Sequence, residues 1–292
     1  MIRPFITGAT GFIGRHLVAA LHAEGMEFRT HHSGLGDIQS AEFDLAGMTH
    51  VIHLAGKSFV PDSWNNPRDY YRVNVQGTAN VLEQCRRHRI PVILVSSYVY
   101  GQPRKLPVAE DHPREPLNPY AHSKILAEEI AEFYRQFFEL PVTIIRPFNV
   151  YGPGQAGRYL IPLLVRQAMD PAVDRLEVAD ARPRRDFLYV DDLVDLLCAS
   201  LRSHPGVTVN AGSGKSCSIQ DIVDILNREL PRPKTLYSRD ENRQTEVMDV
   251  VADITLARSL FGWRPRVSLE EGLRRMLRSV PAESCRNCET AE

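Results

Sequence analysis

An α/β fold, with a parallel sheet covered by helices on both faces, is the architecture this chain predicts. Three observations predict it. Short, near-continuous apolar runs alternate with helix-spaced segments through the first half. The runs lack the apolar–polar alternation of a sheet with one wet face, so both faces should be buried. The first run leads into three closely spaced glycines and then a helix. Residues 2–7 read as that first buried strand. Residues 12–24 carry helical apolar spacing at Phe12, Ile13, Leu17, Val18 and Leu21. Residues 26–31 read as a second strand and 50–54 as a third apolar run. Residues 67–88 have helical spacing, and 91–95 form a β-rich run. Residues 120–138 are a long helix by pattern, and 142–146 are another β-branched run. After about Tyr151 prolines become frequent and strands short, with helices expected near 191–202, 219–230 and 269–278. The expected division is a sheet domain over 1–151, to which segments around 183–212 return, and a smaller mixed domain over 152–292. The tail 281–292 is expected to be disordered.

The 292 residues hold 35 Lys plus Arg against 36 Asp plus Glu, a net charge of −1. That balance argues against a nucleic-acid or polybasic membrane-surface protein. No segment approaches the roughly 18–20 apolar residues of a membrane span. Arg3 and Pro4 interrupt any leader pattern. The expectation is a soluble cytoplasmic protein with neither nucleic acid nor membrane as partner. The cysteines (Cys85, Cys198, Cys217, Cys285 and Cys288) are scattered and odd in number, which fits a reducing compartment. Cys285 and Cys288 form a CxxC without two further ligands nearby, so spare thiols are expected there. The histidines show neither HxH nor HExxH spacing, and no metal site is expected.

The glycines Gly8, Gly11 and Gly14 stand in Gly8-Ala9-Thr10-Gly11-Phe12-Ile13-Gly14, between the first strand and the first helix. Glycines there permit a tight turn and close approach of backbone to a pyrophosphate. The helix N-terminus offers unpaired N–H groups and partial positive charge. The spacing is GxxGxxG rather than GxGxxG, and by itself a structural turn would explain it. Its place after the first strand of a βαβ pattern favours a Rossmann-type nucleotide site.

The chain resembles the extended short-chain dehydrogenase/reductases, the nucleotide-sugar epimerase, dehydratase and reductase group. The residues that carry the resemblance are TGATGFIG (7–14), HLAG (53–56), NVQGTANVLE (74–83), SSYVYG (96–101), Tyr120-x-x-x-Lys124, RPFNVYGPGQ (146–155), RRDFLYVDD (184–192) and FGWRP (261–265). The match spans nearly the whole chain and specifies the family better than the reaction. It implies a cofactor site of Gly8, Thr10, Gly11, Phe12, Ile13, Gly14, Leu54, Ala55, Gly56, Asn74, Tyr120, Lys124 and Pro147. Gly36-Asp37-Ile38 matches the adenine-contacting motif, but arrives unusually soon after the second strand. The intervening helix, and a third strand, look deleted or shortened. Asp44-Leu45 is the alternative alignment, which leaves too few residues for a helix before His50, so Asp37 and Ile38 are preferred.

Tyr120 and Lys124 lie at i and i+4 of a predicted helix and share a face. A phenol of reference pKa about 10 is a poor base at neutral pH, and a neighbouring ammonium should lower it. On a helix surface such a pair is ordinary decoration; beside the glycine loop it reads as catalytic. Counting back from Val99-Tyr100-Gly101, the family's catalytic hydroxyl falls on Ser96, with Ser97 as fallback. Dehydratases of the family carry an acidic pair after that hydroxyl. Ser97 and Tyr98 stand there instead, which disfavours 4,6-dehydration.

By resemblance Asn149 and Arg185 face a nucleotide-diphosphate sugar, and Arg243 reaches its diphosphate. The bland alternatives are an Arg185–Asp186 salt bridge and a solvated loop. Lys57, Ser58, Ser97 and Ser63 join the substrate side; KSFVPDSW (57–64) resembles the equivalent stretch of GDP-4-keto-6-deoxymannose reductases. Gly214-Lys215-Ser216 is a decoy: a P-loop needs Gly where Val209 stands, and Ser218 suits a helix cap instead. The second strand ends Phe28-Arg29-Thr30-His31-His32-Ser33, without the carboxylate that holds a ribose 2′-OH. Arg29, His31 and His32 could meet a 2′-phosphate, which points to NADP(H), with NAD as the alternative. With Arg185 and Arg243 they would make a basic cleft in a neutral protein. The expected activity is NADPH-dependent reduction at C4 of a nucleotide-linked 4-keto-6-deoxyhexose. The alternatives are an NAD-dependent UDP-sugar 4-epimerase and a non-catalytic NADP-binding scaffold. Family analogy implies a homodimer through helices near 67–88 and 120–138.

Overall fold

The computed structural model describes residues 1–203, 206–241 and 246–280. Arg243, Cys285, Cys288 and the tail 281–292 lie outside them. The first half runs β1 (Pro4–Thr7), α1 (Phe12–Ala23), β2 (Arg29–His31), β3 (His50–His53), α2 (Val60–Asn65), α3 (Pro67–Tyr70), a π-helical segment (Tyr71–Gln76), α4 (Gly77–His88), β4 (Val92–Val95), α5 (Pro119–Phe137) and β5 (Val142–Pro147). There follow β6 (Asn149–Tyr151), α6 (Leu160–Met169), β7 (Arg175–Val178), β8 (Arg184–Arg185), β9 (Phe187–Tyr189), α7 (Val190–Arg202), β10 (Thr208–Ala211), β11 (Cys217–Ser218), α8 (Ile219–Glu229), β12 (Thr235–Ser238), α9 (Thr255–Phe261) and α10 (Leu269–Ser279).

The central sheet has six strands in the order β10-β5-β4-β3-β1-β2, and every pairing is parallel. Successive strand residues serve opposite faces. Ile6, Ile52, Ile93 and Ile145 pack with Leu17 and Leu21 of α1 and Leu193, Leu196 and Leu197 of α7. Their neighbours Phe5, Val51, Val92 and Ile144 pack with Val81, Leu82 and Cys85 of α4 and Ala131 of α5. Two buried faces explain why the strands read as continuous apolar runs. A separate cluster joins α6, α8 and α10 around Leu164, Leu226 and Leu273.

The shortened β2–β3 connection is present: it holds one 3₁₀ turn, Ser33–Leu35, and no strand. Two amides of α4 stand in for the missing elements. Asn80 donates to the carbonyls of Ile38 and Ala41, both at 2.9 Å. Gln84 donates to Ala41 at 2.8 Å and accepts from the Phe43 amide at 2.8 Å. The loop then inserts Ile38, Phe43 and Leu45 into the core.

Two expectations change. The helix over 67–88 is three pieces, because a π-helical segment interrupts it at Tyr71–Gln76. Helices α2, α6 and α9 are additional. Ser218 caps α8 in a reciprocal capping box with Asp221. Among the described residues no helix is long and apolar enough to cross a membrane, and no group of three or more His, Cys, Asp or Glu could hold a metal.

Candidate active site

The glycine turn sits where three elements leave no room for side chains. Gly8 has φ +75°, and a Cβ on it would lie 2.6 Å from the Ala55 nitrogen. A Cβ on Gly14 would lie 2.3 Å from the Gly8 carbonyl oxygen. Gly11 is the N-cap of α1, with no side-chain cap and no acid in the first turn. The first-turn amides of Phe12, Ile13 and Gly14, next to Thr10, therefore keep their donors for an anion. Leu54 donates to the Thr7 carbonyl at 3.1 Å, which lays the 54–56 backbone along this turn.

The catalytic candidates converge from β4 and α5. Ser96 follows β4, and its hydroxyl is buried without a hydrogen-bond partner among the described residues, while the buried Ser97 hydroxyl faces Tyr120. Asn118 caps α5 by accepting from the Ala121 amide at 2.8 Å, which sets the helix start beside Tyr120. Burial pushes the Tyr120 phenol up to about 12, against the neighbouring Ser97 hydroxyl. Lys124 donates to the Val95 carbonyl at 2.7 Å, and burial pulls its ammonium down to about 8, opposed by Glu128. The expectation that Lys124 lowers Tyr120 is therefore corrected: burial governs the phenol, and the ammonium is turned to the end of β4. Beneath them, at i+4 from Lys124, Glu128 is fully buried and paired to Arg146 of β5 at 2.7 Å. Nothing in the sequence pattern marked that pair except its place on the Tyr120–Lys124 face.

At the end of β2 two of three basic candidates have other work. Arg29 pairs with the Asp44 carboxylate at 2.6 Å and donates to the Asp44 and Ala46 carbonyls. His31 is buried, stacks edge-on with Phe43, and its Nε2 meets the Gly36 carbonyl at 3.0 Å. His32 lies just beyond the strand; its Nδ1 accepts from the Gly34 amide at 3.2 Å, so a neutral ring carries its proton on Nε2. Asp37 accepts from Gln39 at 2.9 Å and from Arg72 at 3.3 Å. Ile38 packs its side chain against Gly77 of α4.

The substrate-side cations are also engaged. Lys57 pairs with Asp69. Arg185 pairs with Glu246 and donates to the Val247 and Arg184 carbonyls at 2.5 and 2.8 Å. The Asp186 carboxylate instead accepts from Ser213, Gly214 and Ala252, so the Arg185–Asp186 bridge is not formed. Asn149 donates to the Asp186 carbonyl at 3.2 Å. Both amide protons of Asn74 are used inside the protein, on the Lys57 carbonyl and the Ser123 hydroxyl, which makes it a brace rather than a free donor. Ser63 donates to the Val60 carbonyl within α2. Ser58 is 3.0 Å from the Tyr159 hydroxyl. Pro147 ends β5 beside Ala211 of β10. Sequence reading missed the aromatic wall near Tyr120: Tyr70 is 6.2 Å away, and Tyr159 packs edge-on against Phe59, which Arg158 covers at 4.0 Å. No motif marks it, because residues about 100 apart build it.

The family model described as "NAD dependent epimerase/dehydratase family" matches residues 5–212. The chain belongs to this family. It is 32% identical over 93% of its length to a putative UDP-glucose 4-epimerase of Methanocaldococcus jannaschii, covering 96% of that protein. It is 31% identical over 94% of its length to a GDP-6-deoxy-D-mannose reductase of Pseudomonas aeruginosa, again covering 96%. Among solved structures, a NAD-dependent NDP-hexosamine 5,6-dehydratase involved in tunicamycin biosynthesis superposes with TM-score 0.86 and 35% identity, over 96% of this chain and 97% of that one. This is an extended short-chain dehydrogenase/reductase enzyme of nucleotide sugars with an NAD(P) cofactor. The residues present fit such a cofactor: the uncapped α1 N-terminus suits its pyrophosphate, and the orphaned Ser96 hydroxyl stands at the end of β4, to which Lys124 is bonded.

Proposed function

We propose that this enzyme reduces a nucleotide-linked 4-keto-6-deoxyhexose at C4 with NADPH. The observation that carries the reading is the end of β2. His31, His32 and Ser33 end the strand without a carboxylate of its own, and the Asp44 carboxylate that approaches β2 is neutralised by Arg29, which favours a 2′-phosphate. Of the three basic residues expected there, His32 is the one left for that phosphate. The similarity to a GDP-6-deoxy-D-mannose reductase supports the same direction.

NADPH, when bound, supplies the hydride. Tyr120 gives the proton to the C4 oxygen. A phenol at about 12 is protonated at neutral pH, and an alkoxide is a far stronger base, so the transfer runs downhill. Ser96 donates a hydrogen bond to the same oxygen and polarises the ketone, with Ser97 beside Tyr120 as the fallback. Lys124, bonded to the Val95 carbonyl, holds α5 against the end of β4 that carries Ser96. Asn149 faces the nucleotide-sugar side with Lys57 and Ser58 at its edge, and Arg185 reaches the sugar nucleotide by exchanging Glu246 for its phosphate. Asp37 and Ile38 border the adenine end.

A 4-epimerase is the second reading, favoured by the match to the M. jannaschii protein. It would use the same Tyr120 first as a base and then as an acid. The test is a panel of GDP-, UDP-, dTDP- and CDP-linked 4-keto sugars and their reduced forms, each with NADPH and NADH. The reading expects turnover of a 4-keto sugar with NADPH. Turnover of UDP-galactose without added cofactor would contradict it. Tyr120→Phe should cut kcat by about 10²–10⁴-fold.

A further inference from the structure

A single buried hydrogen-bond chain joins the glycine turn to the residue that carries the proton. The Ala55 amide donates to Thr7 Oγ1 at 3.3 Å. Thr7 Oγ1 is 2.6 Å from His53 Nδ1, and His53 Nε2 is 3.1 Å from Thr78 Oγ1. Thr78 donates to the Asn74 carbonyl at 2.6 Å. Asn74 Nδ2 donates to Ser123 Oγ at 2.9 Å, and Ser123 donates to the Tyr120 carbonyl at 2.7 Å. Thr7, His53, Thr78, Asn74 and Ser123 are all buried.

The donors fix the direction of the chain. Thr78 spends its one proton on Asn74, so it can only accept from His53, and His53 Nε2 must carry the hydrogen. His53 Nδ1 then accepts from Thr7, whose oxygen takes the Ala55 amide. Every group is satisfied in one arrangement and in no other. Each end has a functional neighbour. Thr7 immediately precedes Gly8, and Ala55 is the backbone that Gly8 touches. Asn74 lies in the π-helical segment, whose extra residue turns its amide towards both Lys57 and α5.

We propose that His53, held between Thr7 and Thr78 as the neutral Nε2–H tautomer, is a positioning residue that locks the glycine turn in register with the helix carrying Tyr120. It touches neither cofactor nor substrate. It acts by holding β1, β3 and the start of α4 at one mutual spacing, so the pyrophosphate turn and the proton donor keep their separation. Burial supports the neutral form, pulling the imidazole down to about 3, with Lys124 acting in the same direction. A charged ring would reverse the Thr7 bond, because both nitrogens would then donate, and the Thr7 hydroxyl proton would lose His53 as its acceptor.

The inference rests on the glycine turn binding NAD(P), not on which sugar is reduced. The test measures NADPH and NADP⁺ Kd by fluorescence titration, with thermal unfolding alongside, for the wild type, His53→Phe, His53→Gln and Thr78→Val. His53→Phe should weaken cofactor binding about tenfold, the scale of one or two buried hydrogen bonds. His53→Gln keeps a donor near Thr78 and should recover part of that loss. Thr78→Val, the milder change, should weaken binding in the same sense, and the double variant His53→Phe/Thr78→Val should be no worse than His53→Phe alone. Ile52→Val, on the other face of β3, serves as the packing control: it should lower Tm and leave Kd unchanged. Unchanged Kd in both His53→Phe and Thr78→Val, or losses that simply add, would overturn the proposal. A wild type that binds neither NADPH nor NADH would overturn the cofactor reading instead.

Discussion

Gly8 and His53 show how far single residues set this site. Gly8→Ala puts a methyl 2.6 Å from the Ala55 nitrogen on a backbone at φ +75°. The strain alone costs about 1–2 kcal/mol, and the collision displaces the turn. Titration with NADPH should show affinity lost while the sheet still folds. His53 gives a stability signature with a definite sign. Its folded pKa is depressed to about 3 from 6.5, so its contribution is present above pH 6.5 and is lost as pH falls through about 3. Denaturant melts of the wild type should weaken across that window, and His53→Gln should flatten the dependence. Glu128→Gln strands the Arg146 charge at a fully buried site, and unfolding should show about 3–5 kcal/mol lost. At this scale Tyr120, Lys124 and Ser96 were legible because short spacings and a strand end define them. Arg29, Arg185 and Lys57 were not, because Asp44, Glu246 and Asp69 approach them only in the folded chain.

Elements were legible wherever one period held throughout. The six sheet strands were read from their apolar runs, apart from β10, which was expected only as part of a returning segment over 183–212. The helical stripe over 67–88 was real, but periodicity cannot show a π-helical segment, where one inserted residue shifts the face. Helix α6 hid behind Pro162, which a first helical turn tolerates. Helix α9 has only seven residues, too short for a stripe. The cap on α8 was legible as serine followed three residues later by an acid. Ser218→Ala should lower stability by about 1 kcal/mol, seen as a lower Tm, because the cap bond from the Asp221 amide is lost.

Across the whole molecule, the balance of 35 basic and 36 acidic residues is reproduced locally. Of the basic cleft read from Arg29, His31, His32, Arg185 and Arg243, Arg29 and Arg185 are held in ion pairs, so anion binding falls first to backbone amides at the α1 N-terminus. A second copy of the chain is the partner we propose for the outer face of α4 and α5. Phe133, Phe137 and Phe138 there are 51, 62 and 46% exposed, and Arg86 of α4 lies over the Phe138 ring. Sedimentation should give a dimer, and Phe133→Ser/Phe137→Ser should shift it to monomer. The central claim is net reduction at C4, and stoichiometry tests it most directly. With a nucleotide-linked 4-keto-6-deoxyhexose, NADPH absorbance and product should change together, one NADPH oxidised per sugar reduced. Interconversion of C4 epimers with no net NADPH oxidised would contradict the account.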